Sequence, residues 1–299
     1  MNLFSRRLFG AAVAAALVAG SVAACGGDST EEADTAKPAG SAAPLYAELP
    51  ADQQKAGKIV VGSDIAYAPM EYFDTDGETV LGFDKELGDK LGAQLGVEFE
   101  FQSASFDGLI TSLKSGRFDL VMSGMSDTKE RQAEVDFVDY YVAGAMMLVK
   151  KGNPEGLATL ADLCGKTIAV QRGTTQEGYA QEQSAQCEKD GGQKIDILSF
   201  DRETEAMLQI KQGRAVAGLQ DYPVATYNVR ESGGEYEVVG EQIQAGPLGI
   251  AVDKADTALR DVVQKALAAI IANGEYGELI DKWEIPAGAV TEAEINAGT

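Results

Sequence analysis

The chain contains no histidine at all. That removes a histidine general base, a Ser-His-Asp triad and the commonest transition-metal ligand together. Basic residues are scarce as well: 25 Lys and Arg stand against 47 Asp and Glu, a formal net charge of −22. A phosphate backbone needs a basic face, so nucleic acid is not expected as a partner. The acidity reads first as a solvated surface. Cysteine is limited to three residues and tryptophan to one, and beyond residues 1–24 no apolar run approaches the length of a bilayer-crossing helix. No cofactor and no metal are expected. What is present, 299 residues of 45% hydrophobic and 24% charged composition, is globular and long enough for two domains.

The N-terminus reads as targeting sequence. Arg6 and Arg7 precede an apolar run over residues 8–18 that is too short to span a membrane comfortably. Val22-Ala23-Ala24-Cys25 then resembles a bacterial lipobox, in which Cys25 would be lipidated and become the new N-terminus. Ser5-Arg6-Arg7-Leu8-Phe9 also resembles a twin-arginine signal, and ordinary secretion with cleavage at the same small residues is the alternative. Residues 1–24 are therefore expected as a lipoprotein signal peptide. Residues 25–56, rich in Ala, Gly, Ser, Pro, Asp and Glu, are expected as a disordered tether that anchors the body to the outer face of the cell membrane. With Cys25 lipidated, Cys164 and Cys187 remain; in an exported protein two cysteines are best read as one disulfide.

The body alternates strand and helix signals. Residues 58–64, 97–101 and 118–122 read as strands, with helices over 85–95 and from 106 to about 115 between them. This is the β-α-β-α-β order of a domain whose sites lie at the C-terminal ends of strands. The third strand runs into Ser123-Gly124-Met125-Ser126-Asp127-Thr128-Lys129-Glu130-Arg131, where Asp127 and Glu130 have capping-box spacing. Unpaired N–H groups at such a turn suit an anion, and Arg131 can add a two-pronged grip on a carboxylate. A capped surface helix whose Arg pairs with a neighbouring acid is the plainer alternative. Further on, strands at 166–170, 195–200 and 215–221 and a helix over 203–212 repeat the pattern. Lys114-Ser115-Gly116-Arg117 is echoed by Lys211-Gln212-Gly213-Arg214, each before a strand with a polar tip, as two similar lobes would have it. Residues 246–252 read as a strand returning to the first lobe, and the tail after Pro286 as frayed.

These stretches together resemble the family 3 solute-binding proteins, amino-acid-binding components of ATP-driven importers. The matching residues are Val61-Gly62-Ser63-Asp64, Ala68-Pro69-Met70-Glu71-Tyr72, Leu81-Gly82-Phe83-Asp84, Phe106-Asp107-Gly108-Leu109-Ile110, residues 123–131, Val135-Asp136-Phe137, Gly173-Thr174-Thr175-Gln176, and Asn273-Gly274 with Lys282-Trp283. The resemblance implies an α/β fold of two Rossmann-like lobes joined by a two-stranded hinge, the type II periplasmic-binding-protein fold. Lobe 1 would hold residues 57–142 and 248–299, and lobe 2 residues 143–247. It further implies a monomer that captures a polar L-amino acid and hands it to ABC permease subunits, with a lipid anchor as its only membrane contact.

The chemistry of a zwitterion fits the implied site. Arg131, with the Ser126 N–H and hydroxyl, would take the α-carboxylate, and Thr175 would complete that grip. The Gly124 carbonyl and Asp221 would take the α-ammonium. Tyr67 and Phe106 would sandwich the side chain, with Asp64, Ser123 and Gln171 at its far end. If Arg172 points inward, it would oppose a cationic ligand, so specificity stays open between basic, amide and acidic side chains. The alternative function is an exported dehydratase-like enzyme on the same fold, drawing its acid from Asp64, Glu71 or Asp221.

Overall fold

The computed structural model describes residues 40–299. Its main sheet runs, edge to edge, Glu98–Ser103, Lys58–Ser63, Leu120–Val121, Tyr236–Asp253, Val135–Lys150, Ala217–Asp221, Thr167–Gln171, Asp196–Phe200. In the first half, Lys58–Ser63 lies parallel between Glu98–Ser103 and Leu120–Val121. In the second, Thr167–Gln171 lies parallel between Asp196–Phe200 and Ala217–Asp221. Each lobe thus has the strand order second, first, third. That order reverses the winding beside the first strand and opens a crevice at the strands' carboxyl ends.

The two lobes share the antiparallel strands Val135–Lys150 and Tyr236–Asp253. Residues up to Ala143 on the first of these pack in the first-lobe core, and from Met147 onward in the second. Near the crossover Val142 is 40% exposed, and the partner strand carries register shifts between Val239 and Gly249. Burial along Val135–Lys150 is near-continuous, so this single strand shows no inside–outside alternation in its sequence.

The Gly-Arg echo is a real structural repeat. Gly116 (φ +75°) and Gly213 (φ +72°) end their helices in the left-handed region, where a Cβ is costly. Arg117 N–H then reaches back to Ser112 O at 3.0 Å and Arg214 N–H to Gln209 O at 2.9 Å. The following strands start alike, with Asp119 N–H on Val60 O at 2.8 Å and Val216 N–H on Thr167 O at 2.9 Å.

Three expectations are corrected. Residues 40–56, assigned to the tether, are ordered: short 3-10 turns and helix Ala51–Ala56 lie against the first lobe, with Leu49 buried in its core. The tail after Pro286 is not frayed, because Ala289–Ile295 pairs with Val135–Lys150 and the chain beyond it donates to Asp139 and Asp127. The short helix Lys129–Gln132 is capped by Thr128, whose hydroxyl accepts from Arg131 N–H, and not by Asp127, which binds Gly298 N–H and Gln132 instead. Cys164 and Cys187 are bonded, with Cα atoms 5.7 Å apart. The signal peptide, Cys25 and the first part of the tether lie outside the described residues. Among the described residues, no helix is long and apolar enough to cross a membrane.

Candidate functional site

The carboxyl ends of both lobes' strands meet at one cleft. Asp64 follows Lys58–Ser63, Ser123 and Gly124 follow Leu120–Val121, Gln171 ends Thr167–Gln171, and Asp221 ends Ala217–Asp221. All ten residues expected at a binding site line the same narrow, partly open cleft: Asp64, Tyr67, Phe106, Ser123, Gly124, Ser126, Arg131, Gln171, Thr175 and Asp221.

Arg131 is held ready from the first lobe. Its Nη1 donates to Ser126 O at 2.8 Å and its Nη2 crosses to Gly173 O at 3.0 Å. Its guanidinium carbon lies 5.4 Å from the Phe106 ring centroid, so Phe106 supports the cation from below. Burial draws the Arg131 pKa down and Asp221 across the cleft draws it back. No carboxylate lies within ion-pair distance of this guanidinium among the described residues. Ser126 bridges Leu248 through its neighbours' hydrogen bonds, which turns its own amide away from that bridge. The Ser126 and Thr175 hydroxyls meet across the cleft at 3.3 Å.

From the second lobe, Asp221 is only 5% exposed. Tyr67 OH donates to its Oδ2 at 2.9 Å and accepts from its N–H at 3.0 Å, while Gln176 Nε2 donates to Oδ1 at 2.9 Å. Burial raises the Asp221 pKa to about 6, against the pull of Tyr67 and Arg131. A guanidinium and a carboxylate on opposite lobes therefore face one small space, which is what the two poles of a zwitterion need.

The family model for bacterial extracellular solute-binding proteins, family 3, matches residues 59–286. This chain belongs to that family. The arginine-binding protein ArgT of Corynebacterium glutamicum is 31% identical, with 84% of this chain and 82% of that one covered. The histidine-binding periplasmic protein of Salmonella typhimurium is 33% identical over 76% of this chain and 87% of its own. An ancestral arginine-binding protein solved with arginine has a TM-score of 0.70 at 35% identity, covering 76% of this chain and 98% of that one. The fold is accordingly the two-lobed type II one, and this family member is a binding protein, not an enzyme.

Within this solute-binding site, two side chains differ from expectation. Arg172 does not point inward: it pairs with Asp201 at 2.6 Å on the surface. Ser123 lines the wall, with its hydroxyl accepting from Asp64 N–H at 2.9 Å and donating to Glu71 Oε1 at 2.8 Å. It therefore ties two strand tips together, and it has no proton left to donate to a ligand. Glu71 is fully buried beside Asp84; burial and then the Asp84 charge raise Glu71 well above the usual carboxylate range, while burial raises Asp84 to about 6 against the hydrogen bonds it accepts. Asp84 takes Gly124 N–H at 3.1 Å and Tyr140 OH at 2.9 Å, which fixes the Gly124 turn under Tyr67.

Sequence reasoning missed Gln176 and Arg202 as site residues. Gln176 had a signal, since it follows Thr175 in the first turn of a helix aimed at the cleft. Arg202 also had one: it sits past the tip of a parallel strand, just before helix Glu203–Gln212. Its Nη1 lies 3.0 Å from Asp64 Oδ1. Asp64 also accepts from Gln171 Nε2, and burial raises its pKa to about 6 although Arg202 and Gln171 pull the other way.

Proposed function

We propose that this chain captures a polar L-amino acid outside the cytoplasm and presents it to the permease of an ABC importer. Arg131, the Ser126 amide and hydroxyl, and Thr175 hold the α-carboxylate; Asp221 and the Gly124 carbonyl hold the α-ammonium. Because these groups come from two lobes, the ligand bridges them and favours the closed arrangement. The observation that carries this reading is the opposition of Arg131 and Asp221 across one small space.

The side chain runs between Tyr67 and Phe106 toward Asp64, whose buried Oδ1 accepts no hydrogen bond. That oxygen faces the Arg202 guanidinium at 3.0 Å without a hydrogen bond, which favours a side chain that brings N–H donors and positive charge. The arginine- and histidine-binding relatives point to the same class. We further assign Cys25 as a lipid anchor to the outer face of the cell membrane after removal of residues 1–24, a Cys164–Cys187 disulfide in the exported body, and a monomeric state. Titration calorimetry of the mature protein against the twenty amino acids tests the assignment: a basic amino acid binds, and heat from none of them refutes it.

A further inference from the structure

Arg202 reaches from the second lobe into the first. Its Nη1 stands 3.0 Å from Asp64 Oδ1 and its Nη2 3.4 Å from Ser103 Oγ. Asp64 Oδ1 accepts no hydrogen bond despite that separation, so this is a charge contact without good donor geometry. The two partners differ sharply in exposure: the Asp64 side chain is 3% exposed and that of Arg202 39%. A buried carboxylate needs a cation, whereas a guanidinium at the cleft rim can return to water at little cost.

We propose that Arg202 is an internal competitor for the side chain of a cationic ligand, and so a specificity-determining residue. It holds Asp64 across the cleft, and an incoming guanidinium or ammonium must displace it. The exchange is feasible because the ligand can offer Asp64 Oδ1 the hydrogen bond that Arg202 does not, while Arg202 swings outward. A neutral side chain leaves Arg202 where it is. Removing Arg202 therefore sharpens the preference for positive charge. This inference rests on the amino-acid-binding reading above.

L-Arginine and L-citrulline separate the effect, since they differ by one charge at nearly constant shape. If Arg202 occupies Asp64 in about nine of ten molecules, its removal tightens arginine binding about tenfold. Calorimetry on wild type, Arg202→Gln and Arg202→Ala, with melting curves to establish folding, gives the test. The expected result is arginine about tenfold tighter in both variants and citrulline changed less than about twofold. Arginine affinity that is unchanged or weaker, or equal shifts for both ligands, overturns the proposal. If no amino acid binds any of the proteins, the functional reading itself fails. Small-angle scattering without ligand reads the same contact independently: Arg202→Gln is more open than wild type, and identical radii of gyration refute the crossing contact.

Discussion

Arg131 is the sharpest point at which to perturb this protein. Replacing it by alanine removes two donors from the ligand carboxylate, each a charge-assisted hydrogen bond contributing about 1.5–3 kcal/mol. The loss is then about 3–6 kcal/mol, or a Kd raised about 10²- to 10⁴-fold. The fold should hardly notice. Arg131 lies in no packed core; its own bonds go to the carbonyls of Ser126 and Gly173, at 2.8 and 3.0 Å, and its ring contact is to half-buried Phe106. Losing them costs about 1 kcal/mol, a melting shift of about 2–4 °C for a chain of this size. Calorimetry for affinity and a melting curve for stability separate the two effects. Arg131→Lys keeps the charge but not the fork, and should recover only part of the affinity. An alanine variant with a Kd within threefold of wild type would refute the carboxylate assignment outright.

The remaining expectations follow from other parts of the cleft. Gly173 has φ +76°, and a Cβ there would stand 2.9 Å from Asp107 Cβ on the other lobe, so Gly173→Ala should weaken ligand binding about tenfold while the separate lobes stay folded; undiminished affinity contradicts a close approach at this point. Replacing both Cys164 and Cys187, 23 residues apart, by serine should cost on the order of 3 kcal/mol, visible as a lower denaturant midpoint. Stability should fall as pH rises from about 5 to 8. Burial raises Asp64, Asp84 and Asp221 to about 6, Asp139 to about 7 and Glu203 to about 8, so the native state holds protons that the unfolded chain has lost. Melting temperatures that climb over this range would contradict it. Ligand affinity should move the other way, weakening below about pH 6 as Asp221 takes up a proton.

Much of this was readable before any coordinates. Period-2 strands bounded by polar tips, and a helix ended by glycine in each lobe, mark the repeated unit from local chemistry alone. The strand tips then carry the site, because that is where the winding reverses. What escaped depended on distant contacts. The cap at Thr128 follows from the bridge between Ser126 and Leu248, and order in the tail follows from pairing with a strand some 150 residues earlier. The orientation of Arg172 was available in principle: with Gln171 facing the cleft, alternation along a strand turns the next residue away. Arg202 sits beyond the strand end, where alternation no longer decides.

The cleft contains two acid–base oppositions of opposite sense. The first lobe supplies Arg131 and Asp64; the second supplies Asp221 and Arg202. Arg202 and Asp64 touch directly, at 3.0 Å, whereas Arg131 and Asp221 leave space between them. A direct pair with one partner more than a third exposed contributes at most about 1 kcal/mol, enough to bias closure but not to enforce it. Moving lobes from mostly open to mostly closed takes about 5.5 kcal/mol of differential binding. Only a solute that fills the second opposition, engaging a guanidinium on one side and a buried carboxylate on the other, can supply that much. The gap between Arg131 and Asp221 is thus what makes closure depend on the ligand, because it leaves two opposite charges on opposite lobes for one solute to bridge.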